Sequence, residues 1–89
     1  MGASKDGPMQ VLITRSAMKD IEGLEPENRS RIIGVLDRLA LQSRAMGLKK
    51  VHGMPNTWRL RVGDWRVILR LDPPIIYVVR VKHRSEAYR

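Results

Sequence analysis

Arginine and lysine recur at even spacings in the last third of the chain: Arg59 and Arg61, then Arg66 and Arg70, then Arg80 and Lys82. On a β-strand, residues an even number apart share one face, so each pair would be presented together. Guanidinium groups gathered in this way suit phosphate, which arginine grips with parallel N–H donors. Tyr88 follows in the segment RSEAYR, which also carries Arg84 and Glu86. A phenol is normally protonated, with a pKa of about 10. Neighbouring cations favour the phenolate, so a tyrosine beside Arg61, Arg66 and Lys82 is a candidate general base. In RNA cleavage such a base takes the proton of a ribose 2′-OH, which then attacks the adjacent phosphate. Cations stabilise the charge that builds there, and one can protonate the leaving 5′-oxygen. On the residues alone, the readier reading of Tyr88 is an aromatic packed on the sheet edge, whereas for the basic strands an anion-binding surface is favoured over a merely solvated face.

The elements that must position these residues follow from apolar periodicity. Residues 10–14 (QVLIT) read as a first strand. Ser16 can cap a short helix in which Ala17, Ile21 and Leu24 recur at helical spacing. Gly23 and Glu25-Pro26 interrupt it, and Pro26 suits the first turn of a second helix. Ile32, Leu36, Leu39 and Ser43 mark a stripe on that helix, flanked by Ile33, Val35 and Ala40, with Gly47 as a stop. The pair reads as a helical hairpin. Residues 48–55 form a basic connector, after which the apolar period becomes two. Residues 57–62, 65–71 and 75–82 then read as three strands, joined by Gly63-Asp64 and by a three-residue loop at 72–74. The expected fold is α+β: a small two-layer β-α-α-β-β-β domain over residues 9–89, an antiparallel sheet with the helical hairpin on one face. Residues 1–8 are expected to be a flexible lead, with Met9 a candidate start.

A two-residue turn at Gly63-Asp64 sets Val62 opposite Trp65, Arg61 opposite Arg66, Leu60 opposite Val67 and Arg59 opposite Ile68. One face then carries Trp58, Leu60, Val62, Trp65, Val67 and Leu69, and the other carries the arginines. The three-residue loop would place Ile75, Tyr77, Val79 and Val81 on the apolar face. It would place Ile76, Val78, Arg80 and Lys82 on the basic one, with Arg80 near Arg66. No acid shares the parity of these cations, and like charges facing each other destabilise a sheet. Folding alone gives no reason for Arg61 opposite Arg66. A slip of one residue would bury the arginines and expose both tryptophans. Trp58 and Trp65 are therefore core residues by parity rather than base-stacking groups.

Composition narrows the partner. Seventeen Lys and Arg against nine Asp and Glu give a net charge of +8, which suits a polyanion. The 89 residues allow one domain. No run approaches the ~18 apolar residues of a membrane helix, and no signal-peptide pattern opens the chain. Cysteine is absent, which suits a cytoplasmic protein. The two histidines and scattered carboxylates lack metal-ligand spacing, and no Gly-rich phosphate loop is apparent. The expected site therefore uses neither a metal nor a cofactor.

Three stretches resemble the RelE/ParE superfamily of toxins from toxin–antitoxin pairs: VHGMPNTWRLRV (51–62), GDWRVIL (63–69) and VKHRSEAY (81–88). They are similar to the family patterns L-x-G-x-P-x-x-[aromatic]-R/K-x-R/K, G-[aromatic]-R-[apolar] and K/R-x-R-S-x-x-Y, in order and at suitable spacing. The resemblance spans about residue 9 to residue 88 and implies metal-independent cleavage of mRNA on the ribosome. It implies an antitoxin protein as partner. It also implies roles: Arg59 and Arg61 as the basic pair of one strand, Arg66 as the phosphate-stabilising arginine, Lys82 as proton donor or charge stabiliser, and Tyr88 as activator of the 2′-OH. Arg70, Arg80 and Arg84 join Arg59 and Arg61 as expected RNA-binding residues. Arginine stands at 59 and 61 where relatives often hold lysine, and Lys82 stands where arginine is usual. Arginine stays charged and is a poor proton shuttle, whereas lysine shifts its pKa readily and can donate, so the roles can be redistributed among these positions and the general acid stays open. The same resemblance admits two rivals: a ParE-like inhibitor of DNA gyrase and a non-catalytic nucleic-acid-binding member.

Overall fold

The computed structural model describes residues 9–42 and 46–86. The lead segment 1–8, Ser43 and Tyr88 lie outside the described residues. The chain runs β1 (Gln10–Ile13), α1 (Arg15–Glu22), α2 (Pro26–Gln42), β2 (Lys49–Lys50), β3 (Thr57–Val62), β4 (Trp65–Asp72) and β5 (Ile75–His83). The α+β class agrees with expectation, and so does the element order apart from the added strand β2. The strands form one sheet in the order β1-β5-β4-β3-β2. Pairing is antiparallel from β2 to β5, but β1 joins β5 in parallel, so the sheet is mixed rather than purely antiparallel. The helical crossover returns the chain to the far edge of the sheet, which permits that parallel pairing. The two-residue β2, expected as connector, is too short to show any alternation.

Apolar spacing accounts for the helices. Ala17 and Ile21 of α1, and Ile32, Val35, Leu36 and Leu39 of α2, are buried. Pro26 opens α2 as expected. Thr14, not Ser16, caps α1: its hydroxyl accepts from the Ala17 N–H at 3.2 Å and donates to the Val79 carbonyl at 3.1 Å. A residue that ends a strand and starts a helix satisfies both backbones at once. The sheet contributes Leu60, Val67, Leu69, Ile76, Val78 and Val81 to the same core. Each large aliphatic side chain buried there stabilises the fold by roughly 1.5–3 kcal/mol.

The register of β3–β4 is the one the sequence requires, from Thr57 opposite Arg70 to Val62 opposite Trp65. The β4–β5 register departs from expectation. The loop holds two residues, Pro73 and Pro74, joined by a cis peptide bond, and Asp72 faces Ile75. Ile76 and Val78 therefore point into the core, while Ile75 and Tyr77 share the parity of Arg70 on the open face. A bulge between Ile68 and Leu69 then leaves Val79 as an extra residue on β5. It resets the parity, so Val81 is buried and Lys82 falls opposite Arg66. Bulges absorb one unpaired residue in this way.

Candidate functional site

The helices cover one face of the sheet, and the cations gather on the other. Rows of cross-strand partners define that open face. Arg61, Arg66 and Lys82 form one row, and Lys49, Arg59, Ile68 and Arg80 the next. Arg70 lies between Thr57 and Tyr77 in a third. Among the described residues, Gly47, Lys49, Arg59, Arg61 and Arg66 line a cavity of about 130 Å³, and none of these is a carboxylate. Gly47 adopts φ +73°, where a side chain would be strained. The Arg61 Nε donates to the Gly63 carbonyl at 3.4 Å and the Arg66 Nη1 to the Trp65 carbonyl at 3.5 Å. Such long bonds to neutral oxygens orient the guanidinium groups and leave their charge uncompensated. A cluster of cations of this kind can bind a phosphate.

Asp20 changes the expected role of Arg80. Arg80 donates from Nε to Oδ2 at 2.8 Å and from Nη2 to Oδ1 at 3.2 Å, and the Val81 N–H donates to Oδ2 at 2.9 Å. Burial alone would raise the Asp20 pKa. The Arg80 and Val81 hydrogen bonds and the charges of Arg80 and Lys82 outweigh it and hold the carboxyl below its ordinary value. The same bonds raise the pKa of Arg80. Asp20 takes up the β5 backbone just past the end of β1, so this pair fastens α1 to the sheet edge. Matching parity on the strands could not reveal an acid supplied by a helix. A second acid, Asp72, shares the parity of Arg70 because β4 runs one residue beyond its expected end.

The other expected residues are placed as follows. Lys82 is half-buried beside Arg66. Arg84 is exposed at the β3–β4 turn, where its N–H donates to the Asp64 carbonyl at 2.7 Å and its guanidinium lies 4.0 Å from the Asp64 carboxylate. Trp65 packs on the core and meets His83 edge-on at 5.2 Å. Trp58 is half-buried with the Lys50 ammonium 5.9 Å from its ring centre. Lys49 and Tyr77 were missed from the sequence, the first because β2 is so short, the second because the loop at Pro73-Pro74 holds two residues rather than three, which reverses the face of Tyr77. Among the described residues, no helix is long and apolar enough to cross a membrane.

Comparison with known proteins gives one family and consistent relatives. The model of the ParE toxin of the type II toxin–antitoxin system parDE matches residues 11–88. Toxin RelE3 of Methanocaldococcus jannaschii is 29% identical over 84 residues, which cover 90% of this chain and 96% of that protein. Among solved structures, the RelB–RelE antitoxin–toxin complex from Methanococcus jannaschii has a chain with TM-score 0.73 and 26% identity, covering 86% of this chain and 94% of that one. The toxin–antitoxin complex RelBE2 from Mycobacterium tuberculosis matches in fold, with TM-score 0.77 at 23% identity over 90% of this chain and 95% of that one.

Proposed function

This chain belongs to the ParE toxin family of type II toxin–antitoxin systems, and on that premise we propose that it is a ribosome-dependent mRNA endoribonuclease that inhibits translation. The observation that carries this reading is the cavity that Lys49, Arg59, Arg61 and Arg66 line together, with Lys82 opposite Arg66. The scissile phosphate sits in that cavity. Tyr88 takes the proton of the 2′-OH, and the 2′-oxygen attacks the adjacent phosphorus. Arg61 and Arg66 stabilise the charge on the non-bridging oxygens. The P–O5′ bond breaks, and Lys82 gives a proton to the leaving oxygen. The products are a 2′,3′-cyclic phosphate and a 5′-hydroxyl, with no metal or cofactor in the reaction. Arg59, Arg70 and Arg84 engage the RNA backbone, while Arg80 serves it through the sheet edge that it fastens.

The protein partner is a cognate antitoxin, whose acidic surface would cover the cationic face in the cytoplasm. The RelE name of the Methanocaldococcus jannaschii relative supports the nuclease reading. The ParE description of the matching family favours a second one, inhibition of DNA gyrase. Primer extension on mRNA in a purified translation system separates them. Discrete cuts that need ribosomes and fall by about 10²–10³-fold in Arg66→Ala are expected. Tyr88→Phe should weaken them too. Intact mRNA with unaffected translation, together with blocked supercoiling by gyrase, would overturn the nuclease in favour of the second reading.

A further inference from the structure

Tyr77 and Arg70 are direct partners in the β4–β5 ladder, and Leu12 of β1 lies across from Tyr77 on its other side. The two-residue loop leaves this tyrosine on the open face, since Ile76 and Val78 take the core positions around it. Among the described residues nothing hydrogen-bonds its hydroxyl, and the exposed Arg70 has neither ion pair nor side-chain hydrogen bond. Asp72 shares the face but does not reach Arg70. Leu12, 37% exposed, and half-buried Ile68 border the pair with apolar surface. A face needed only for solubility has no use for an aromatic ring, a leucine and an isoleucine together.

An aromatic ring beside a cation is what an unpaired nucleotide requires. Every base presents a π-face that stacks on a ring, and its phosphate pairs with a nearby guanidinium. We propose that Tyr77 stacks a nucleobase of single-stranded RNA while Arg70 holds that nucleotide's phosphate. The inference rests on the RNA reading above. Arg70 lies four residues from Arg66 on β4, roughly 13 Å at 3.3 Å per residue. The stacked base therefore belongs to a nucleotide flanking the reacting phosphate, and Tyr77 is a positioning residue. Apolar Leu12 and Ile68 keep water from the edge of the stack.

The test uses a 2′-O-methyl oligoribonucleotide, which cannot be cleaved because the attacking oxygen is blocked, with 2-aminopurine at successive positions. Binding to the full chain is followed by anisotropy, and stacking by quenching of the 2-aminopurine. One position should be quenched by the wild type and by Tyr77→Phe. Quenching should vanish in Tyr77→Leu, with affinity about tenfold weaker. Arg70→Ala should weaken binding and flatten its salt dependence. Thermal melts of each variant confirm folding. If Arg66→Ala weakens binding while Tyr77→Leu changes neither affinity nor quenching, the platform is overturned and the RNA reading stands. If the wild type fails to bind the oligonucleotide at low salt, the platform falls, and the nuclease reading is decided separately by the primer extension with ribosomes.

Discussion

The sheet contains two hairpins of opposite character. The β3–β4 hairpin turns at Gly63, φ +61°, and keeps one unbroken register. The β4–β5 hairpin turns at Pro73-Pro74 and changes parity at Val79. The first bears the crowded cations, with Arg61 facing Arg66, which folding alone disfavours. The second supplies the deepest core, with Ile76 and Val78 fully buried. Strain from repelling charge is thus confined to a surface whose inner side is firmly packed. A sheet can present a functional face at little risk when its other face carries the stability.

Deleting Val79 should break the contrast most severely. Without the extra residue, either Ile76 and Val78 or the Val81 end of β5 must leave the core. Turning two buried aliphatics outward costs on the order of 4 kcal/mol, so the cooperative urea transition should be lost or shifted far down. Ile76→Ala should cost about 3 kcal/mol, and Ile75→Ala less than ~1 kcal/mol; the reverse order would restore the three-residue loop.

Asp20→Asn should cost about 1–2 kcal/mol, discounted because Arg80 is partly exposed. Folding lowers the Asp20 pKa from its ordinary 3.8, so its stabilisation is fully present above that value and is lost as pH falls through the folded one. Urea midpoints at pH 7 and pH 3 should therefore converge between wild type and variant at the acid end. Gly63→Ala should cost about 1 kcal/mol through its positive φ; the Arg31 Nη1 only 3.0 Å from the added methyl can swing aside. The smallest change expected is a gain. Arg61→Thr should leave stability equal or raise it by about 0.5 kcal/mol, because it relieves repulsion from Arg66, while RNA cleavage falls. Added salt should shrink that gain.

The α+β class, the helical stripes, the β3–β4 register and the faces of Arg59, Arg61, Arg66 and Arg70 were legible in the chain alone. These depend on local periodicity and on a short turn, and a one-residue error would bury charge. The rest came from long-range packing. Pairing of β1 with β5 depends on where the helical crossover delivers the chain. Asp20 meets Arg80 sixty residues away in sequence, a contact that no strand pattern encodes. The bulge at Val79 restores the parity of Arg80 to Lys82, and that of Ile75 to Val78 is set by the two-residue loop. There the residues are nearly all apolar, so alternation carries no signal, and only the fit of Ile76 and Val78 against the helices selects the register. Lys49 belongs to the cavity for a similar reason: two residues cannot display a period, and their place comes from pairing with Arg59 and Trp58.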